Sequence, residues 1–245
     1  MDARNKCGGA WNEGRAPERQ TAMSADNRAR AEALCPDVSR ETWDRLAVYV
    51  DLLARWQKTL NLVAPRTLDE VWTRHIADSL QLLALAPGAR RWADLGSGAG
   101  LPGVPLAIAL AGTSGAAVEL VESDQRKAAF LREAVRVTAA PARVHPMRIE
   151  RWAAAWEEPV DAVTARALAP LERLIPLAFP LLARGAVGIF PKGRNVAEEL
   201  TAAARSWHIT HELTPSATDS AARIVVVSAV APSGAAAPDR GGPRS

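Results

Sequence analysis

The stretch "DLGSGAGLPG", residues 94–103, sets Gly96, Gly98, Gly100 and Gly103 in one short loop behind Asp94. The apolar run "RRWADL" leads into it, and a helical stretch from Pro102 to Ala111 leads out. Strand, glycine-rich turn and helix in that order place the loop at the C-terminal end of a parallel strand, the edge where open α/β sheets bind ligands. Glycine lets a ligand lie against the backbone, and Pro102 suits a first helical turn, where its missing N–H costs little. The loop is therefore read as the cradle of a nucleoside-bearing cofactor. Two classes compete for it. "GAGLPG", residues 98–103, satisfies the GxGxxG pattern of dinucleotide sites, a string that is weak by itself. An acid closing the strand ahead of GxGxG, as Asp94 does, suits S-adenosylmethionine, whose cationic sulfonium and ammonium groups favour carboxylates. Glu122 closes the second strand in "LVESD" and could accept from the ribose hydroxyls of either class, so it does not discriminate.

Outward from the loop, strand-like runs continue as "AVELVE", "ARVHPMRI", "DAVTAR" and "AVGIF". Helical stretches separate them over Asp124–Val137, Arg151–Trp156 and Leu168–Leu182, and a further helix is expected from about Asn195 to Ser206. This alternation predicts a parallel sheet with helices on both faces. The last two runs, "WHITHEL" and "ARIVVVSAV", have a polar turn between them and no room for a crossover helix, so they are expected to pair as an antiparallel hairpin. That hairpin departs from the simple doubly wound dehydrogenase pattern and is a second argument for the S-adenosylmethionine class.

Upstream, Trp43, Leu46, Val50, Leu53 and Trp56 recur at helical spacing, with Ser39 as N-cap and Glu41 in the first turn. A second helix is expected from "TLDE", where Thr67 and Glu70 have capping-box spacing. Its stripe is Leu68, Val71, Trp72, His75, Ile76, Ser79 and Leu80, and Pro87-Gly88 stops it. His75, on that stripe, is read as a hydrogen-bonded, partly buried histidine. Arg74 and Asp78 are i,i+4 neighbours placed to pair, and Trp43, Trp56 and Trp72 fall at core spacing. The expected division is a disordered tail over 1–36, a helical extension over 37–88, the cofactor-binding domain over 89–230 and a second disordered tail over 231–245. Met1 and Met23 stand as alternative starts.

Hydrophobic residues make up 48% of the 245 and charged residues 23%, enough apolar material for a sizeable core. The net charge of +3 and pI near 9.2 are compatible with a nucleic-acid partner but do not require one. Cys7 and Cys35 form no CxxC pair, so neither a zinc site nor a disulfide framework is expected and a reducing cytoplasm fits. No apolar run approaches the roughly 18 residues of a membrane span, and no apolar h-region marks a signal peptide.

Seven blocks in order carry a resemblance. They are "NLV" (Asn61–Val63), "RHIADSL" (Arg74–Leu80), "DLGSGAGLPGVPLAIAL", "LVESDQRKAAFLREAV", "RIERW" (Arg148–Trp152), "TARALAPL" (Thr164–Leu171) and "PKG" (Pro191–Gly193). The chain resembles the glucose-inhibited division protein B family of S-adenosylmethionine-dependent methyltransferases, which modify guanine N7 in small-subunit ribosomal RNA. It departs from the family at Leu101, often Phe; at Gln57 and Val63, more often Asn and Thr; and at Ile149, frequently Ala. The resemblance implies a Rossmann-like class I methyltransferase fold, a mostly parallel seven-stranded sheet ending in the hairpin, with S-adenosylmethionine as cofactor and S-adenosylhomocysteine as product. It implies guanine 527 of 16S rRNA as target, within the small subunit or an assembly intermediate, and a cytoplasmic protein, expected to be monomeric. Carried over, cofactor contacts fall on Gly96 and Leu101 and on Ile149 and Glu150 beside the adenine, and Arg166 after the fourth strand would reach the cofactor or hold the substrate pocket. With Asp94, Gly98, Gly100 and Glu122 these complete the expected cofactor set.

Guanine N7 has a lone pair and no proton, so direct attack on the methyl needs no general base, and the sequence offers no convincing one. Catalysis by positioning is the expectation. Arg66, Arg74, Lys192 and Arg194 are candidates for RNA phosphate contacts. The alternatives are an NAD(P)-dependent oxidoreductase and an inactive RNA-binding scaffold.

Overall fold

Seven strands build one sheet: β1 (Arg91–Leu95), β2 (Ala117–Val121), β3 (Ala142–His145), β4 (Ala162–Thr164), β5 (Val187–Lys192), β6 (Trp207–Pro215) and β7 (Arg223–Pro232). Their order in this computed structural model is β3-β2-β1-β4-β5-β7-β6. The structure describes the backbone of residues 16–234 and the side chains of residues 25–234. β1 pairs in parallel with β2 and β4, and β4 with β5, while β7 runs antiparallel to β5 and to β6. The predicted parallel sheet with a terminal hairpin is therefore present. The strand order reverses at β1, so the crevice beyond its C-terminal end is the natural ligand position.

Eight α-helices accompany the strands among the described residues: α1 (Ala16–Leu34), α2 (Arg40–Gln57), α3 (Asp78–Leu80), α4 (Gly103–Ala109), α5 (Gln125–Thr138), α6 (Ile149–Ala155), α7 (Leu171–Leu182) and α8 (Val196–Ala203). Alternation along β1 sends Trp92 to one face and Ala93 and Leu95 to the other. On the first face Tyr49 and Leu53 of α2, Leu106 of α4 and Phe130 of α5 pack together; on the second, Trp152 of α6, Leu174 and Ile175 of α7 and Ala203 of α8. Each fully buried large apolar side chain contributes about 1.5–3 kcal/mol. Trp43 and Trp72 are buried core residues with ring centroids 6.1 Å apart, as expected, and Trp56, partly buried, packs against the core through Phe130 at 5.7 Å.

Three expectations for the N-terminal part are corrected. Residues 16–34 form α1 where a disordered tail was expected, because Ala31 and Asn27 are buried against the helical unit behind it. Residues 1–15 and 235–245 lie outside the described residues, and β7 runs to Pro232, past the expected start of the second tail. The capping box at Thr67 does not form. Its hydroxyl donates to the Ala64 carbonyl (2.7 Å), and the helix that follows is π-type over Trp72–Ala77 before becoming α3 and then 3-10 over Gln81–Leu85. Two of its first amides are capped from outside: Asn27 Oδ1 accepts from Trp72 N (3.0 Å) and Thr73 N (3.3 Å). Arg74 and Asp78 do not pair. Arg74 meets its other i,i+4 neighbour, Glu70 (3.5 Å), and Asp78 meets Arg166 (3.3 Å), so each is taken by a different partner.

Candidate active site

The glycine loop is held by its own backbone. Gly96 N and Ser97 N both donate to the Val121 carbonyl at the end of β2 (2.9 and 3.0 Å). Gly98 N donates to Glu122 Oε2 (2.9 Å), whose other oxygen accepts from Asp124 N (2.8 Å). From the far side Tyr49 of α2, the chain's one tyrosine, donates its hydroxyl to the Ala99 carbonyl at 2.5 Å. The helical extension thus clamps the loop, a contact that sequence reasoning missed because nothing local ties α2 to residue 99.

The glycines divide by task. Gly98 (φ +55°) faces open space, with nothing nearer than 3.7 Å to a methyl built there. At Gly103 such a methyl would lie 2.6 Å from Asp94 Oδ2, so this glycine lets α4 close onto β1. Gly96 and Gly100 are likewise filled by neighbours, Leu168 and Val104. The close approach inferred from the sequence is met by a cavity at Gly98 and by protein at the other three.

Asp94 has no exposed surface. Its Oδ2 accepts from Gly103 N (3.1 Å), and Oδ1 has no hydrogen-bond partner. Burial pushes its carboxyl up to about 7, against hydrogen bonds from the loop and the charge of Arg166. The structure makes Asp94 the internal anchor of the loop; it lines neither of the two cavities at this edge of the sheet.

The first cavity, about 660 Å³, is lined by Gly96, Gly98, Leu101, Glu122, Ile149, Glu150 and Arg166 among others, seven of the nine residues expected to bind cofactor. Gly100 is buried outside it, with Asp94. Ile149 and Glu150 stand in the first turn of α6, not at the end of a strand. A second cavity of about 780 Å³ adjoins it, and the two share Leu62, Val63, Arg166, Ala167, Leu168 and Ala169. Ala167 turns the chain there in the left-handed region (φ +54°). Gln57 fixes the opposite wall: its Oε1 accepts from Leu62 N and Val63 N (2.9 and 3.0 Å), and its Nε2 donates to the Val63 carbonyl (2.8 Å).

Arg166 sits at the junction. Its Nη1 donates to the Arg74 carbonyl (3.2 Å), to His75 Nδ1 (3.1 Å) and to Asp78 Oδ2 (3.3 Å). A guanidinium has no acceptor, so His75 Nδ1 carries a lone pair and Nε2–H donates to Thr67 Oγ1 (2.8 Å). Burial and the charges of Arg166 and Arg74 lower the His75 pKa to about 4, which keeps this neutral tautomer. Asp78 Oδ1 accepts from Gln81 Nε2 and Thr218 Oγ1, both at 2.8 Å. Asp78 and Thr218, 140 residues apart, were not legible as site residues.

Of the basic residues expected to meet RNA, Lys192 is committed internally. Its side chain is 9% exposed, and its ammonium donates to the Ala169 carbonyl (2.7 Å) and pairs with Glu199 (2.8 Å). Arg66 and Arg194 are exposed, and Arg74 is half-exposed beside Glu70.

A family model described as rRNA small subunit methyltransferase G matches residues 43–224. The chain belongs to this family. It is 56% identical over 208 residues to the ribosomal RNA small subunit methyltransferase G of Methylorubrum populi, covering 85% of this chain and 98% of that relative. The match to the protein of the same name from Nitrobacter winogradskyi is 55% over 207 residues, 84% of this chain and 74% of the relative. Among solved structures, the O-methyltransferase from Bacillus cereus in complex with S-adenosylhomocysteine aligns at a TM-score of 0.52 and 16% identity over 85% of this chain and 99% of that one. TomG from Streptomyces achromogenes, in complex with S-adenosylmethionine, aligns at 0.53 and 14% over 86% and 98%. These likenesses establish the class I methyltransferase fold. The resemblance drawn from the seven sequence blocks is thus confirmed at the level of the family. No helix of the described residues is long and apolar enough to cross a membrane.

Proposed function

We propose that this protein transfers a methyl group from S-adenosylmethionine to N7 of a guanine in 16S rRNA, guanine 527 by family resemblance. The two joined cavities with Arg166 between them are the observation that carries this reading. The residues present fit the donor in the first cavity. Gly98 leaves its wall open, Leu101 and Ile149 offer apolar surface, and the Glu122 oxygens keep lone pairs for ribose hydroxyls beyond the amides they hold. When bound, the donor supplies an electrophilic methyl on a sulfonium. The second cavity is roomy enough for a nucleotide unstacked from its strand. Membership of the rRNA methyltransferase family favours this reading over a nicotinamide-dependent oxidoreductase.

The chain's own contribution is orientation and exclusion of water. His75 has both ring nitrogens engaged, and its lowered pKa leaves it no proton to trade near neutral pH. This accords with a nucleophile that carries no proton. Arg166, its Nη1 held by three acceptors of one turn, brings positive charge to the junction and bounds both pockets. The exposed Arg66 and Arg194 and the half-exposed Arg74 lie on the RNA-facing side in this reading. We place the activity in the cytoplasm, on the small subunit or its assembly intermediate, carried out by a monomer.

The test is to map 7-methylguanine in 16S rRNA from cells with and without this protein, and to restore it with purified protein and labelled donor. Loss of one methylguanine in the deletion, returned by the protein, is expected. Unchanged methylation would reject the reading, and binding of labelled RNA with no transfer would leave the scaffold alternative standing. A melting temperature raised by NAD and untouched by S-adenosylhomocysteine would favour the oxidoreductase.

A further inference from the structure

Asn27 lies on α1, ahead of the segment that the family model matches. It is 6% exposed, and each of its side-chain polar atoms is used. Oδ1 accepts from the amides of Trp72 and Thr73 (3.0 and 3.3 Å), and Nδ2 donates to Thr73 Oγ1 (2.9 Å). These amides open the π-helical turn, where no intrahelical carbonyl is available to them. The same turn carries the Arg74 carbonyl and His75, and it ends at Asp78, the three groups that hold Arg166. One buried amide therefore pins the N-terminus of the element that aims the guanidinium at the cavity junction. Arg28 of α1 adds a second tie, its guanidinium 5.2 Å from the Trp72 ring centroid.

We propose that Asn27 is a positioning residue for the transfer reaction, acting through the Trp72–Ala77 turn to fix Arg166 between the two cavities. The proposal rests on the function given above. α1 is then part of the active-site scaffold, and Asn27 touches neither donor nor acceptor. Its side chain sets where the turn starts, the turn sets Arg74, His75 and Asp78, and these set Arg166.

Two readouts test it on the full chain. In 15N NMR of the His75 ring, the wild type should show the Nε2–H tautomer. Asn27→Ala should mix the tautomers and move the ring's titration up toward the ordinary histidine value, and Asn27→Asp, which keeps the acceptor for both amides, should restore the wild-type pattern. In methyl-transfer kinetics Asn27→Ala should lower kcat about tenfold, with Asn27→Asp recovering most of it, and the loss should vanish in an Arg166→Ala background. Should Asn27→Ala not fold, Asn27→Gln, whose amide sits one methylene further out, takes its place with the same expected outcome. A folded variant that melts lower but keeps the His75 tautomer and kcat overturns the proposal. So does a rate loss that multiplies in full with that of Arg166→Ala. If the wild type transfers no methyl to rRNA, the functional reading fails, while the His75 signal still decides whether Asn27 controls the turn.

Discussion

The glycine loop and the π-helical turn both face the cavities, and they are held in opposite ways. The loop is fixed by backbone amides, by missing side chains and by acids of its own strand and the next: Gly103 N on Asp94, Gly98 N on Glu122. The turn is fixed by side chains from distant parts of the chain. Asn27 comes from 46 residues before Thr73, Arg166 from 88 after Asp78, and Thr218 from 140 after it. A site half local and half assembled should respond to mutation in two distinct ways.

The largest effect is expected where the two halves meet. Arg166→Ala removes the group that the turn is built to hold and leaves Asp78, with a side chain 17% exposed, without its cation. We expect kcat/KM to fall about 100-fold, since misplacing a reacting partner by an ångström costs that much. Steady-state methyl transfer into rRNA measures it. A change below threefold would mean that the turn aims Arg166 at nothing that matters for transfer.

Within the loop the glycines should separate stability from binding. Gly103→Ala drives a methyl into Asp94 and Leu120, and overpacking of that kind costs about 1–3 kcal/mol. Gly98→Ala has the space but not the backbone conformation, a cost of roughly 1–2 kcal/mol, and it alters the wall of the cavity where we propose the donor binds. Urea denaturation should show the greater loss for Gly103→Ala, and calorimetry with S-adenosylhomocysteine the greater loss for Gly98→Ala. The reverse ranking would undo the division of tasks drawn from the structure.

Asp94 and His75 carry opposite pH signatures. The folded Asp94 carboxyl, raised to about 7, binds its proton more tightly than in the unfolded chain. Ionising it opposes folding, so its contribution falls as pH rises from about 4 to about 7. His75, lowered to about 4, binds its proton less tightly when folded. Its contribution is complete above roughly pH 6.5 and is lost as pH falls toward 4. Asp94→Asn keeps an acceptor for Gly103 N and cannot ionise. Relative to wild type it should gain stability steadily between pH 4 and pH 7, by on the order of a kcal/mol or more at the upper end. A difference between the two proteins that does not change with pH would show that Asp94 ionises as freely as an exposed acid.

What the sequence disclosed follows the same line. Strand–helix alternation, the hairpin and the loop rest on period, turn chemistry and glycine density, all within a few residues, and they were legible. Seven of nine cofactor candidates line one cavity because strand ends converge on one sheet edge. α1 was not legible, because its sequence is mostly polar and only Asn27 and Ala31 of its described side chains are buried. The turn was misread because Thr67 and Glu70 satisfy capping-box spacing, whereas the Thr67 hydroxyl is spent on Ala64 and His75. Arg74 and Asp78 satisfy i,i+4 spacing, but so do Glu70 and Arg74, and Asp78 is taken by Arg166. At Asn27 and Asp78 local rules failed because the partners come from far along the chain; at Thr67 and Arg74 they failed because a different near neighbour took the group.

The smallest expected effect concerns the rim and divides two neighbours that the sequence treats alike. Lys192 is tied to Glu199 and the Ala169 carbonyl, and Glu199 Oε2 also accepts from Leu171 N (2.9 Å), so the pair joins β5, α7 and α8. Removing its charge leaves a partly buried carboxylate short of a cation, a cost paid in stability. Arg194 is exposed two residues further on. If it meets a phosphate, Arg194→Ala should weaken RNA binding a few-fold and reduce the slope of log K against log salt by about 1, equally for all RNA sequences. Lys192→Ala should lower the melting temperature and leave that slope unchanged. Binding isotherms at three salt concentrations distinguish the two. A slope altered by Lys192→Ala and indifferent to Arg194→Ala would mean that the Lys192–Glu199 pair opens when RNA arrives, and that the rim, like the turn, is assembled by side chains and not by the backbone.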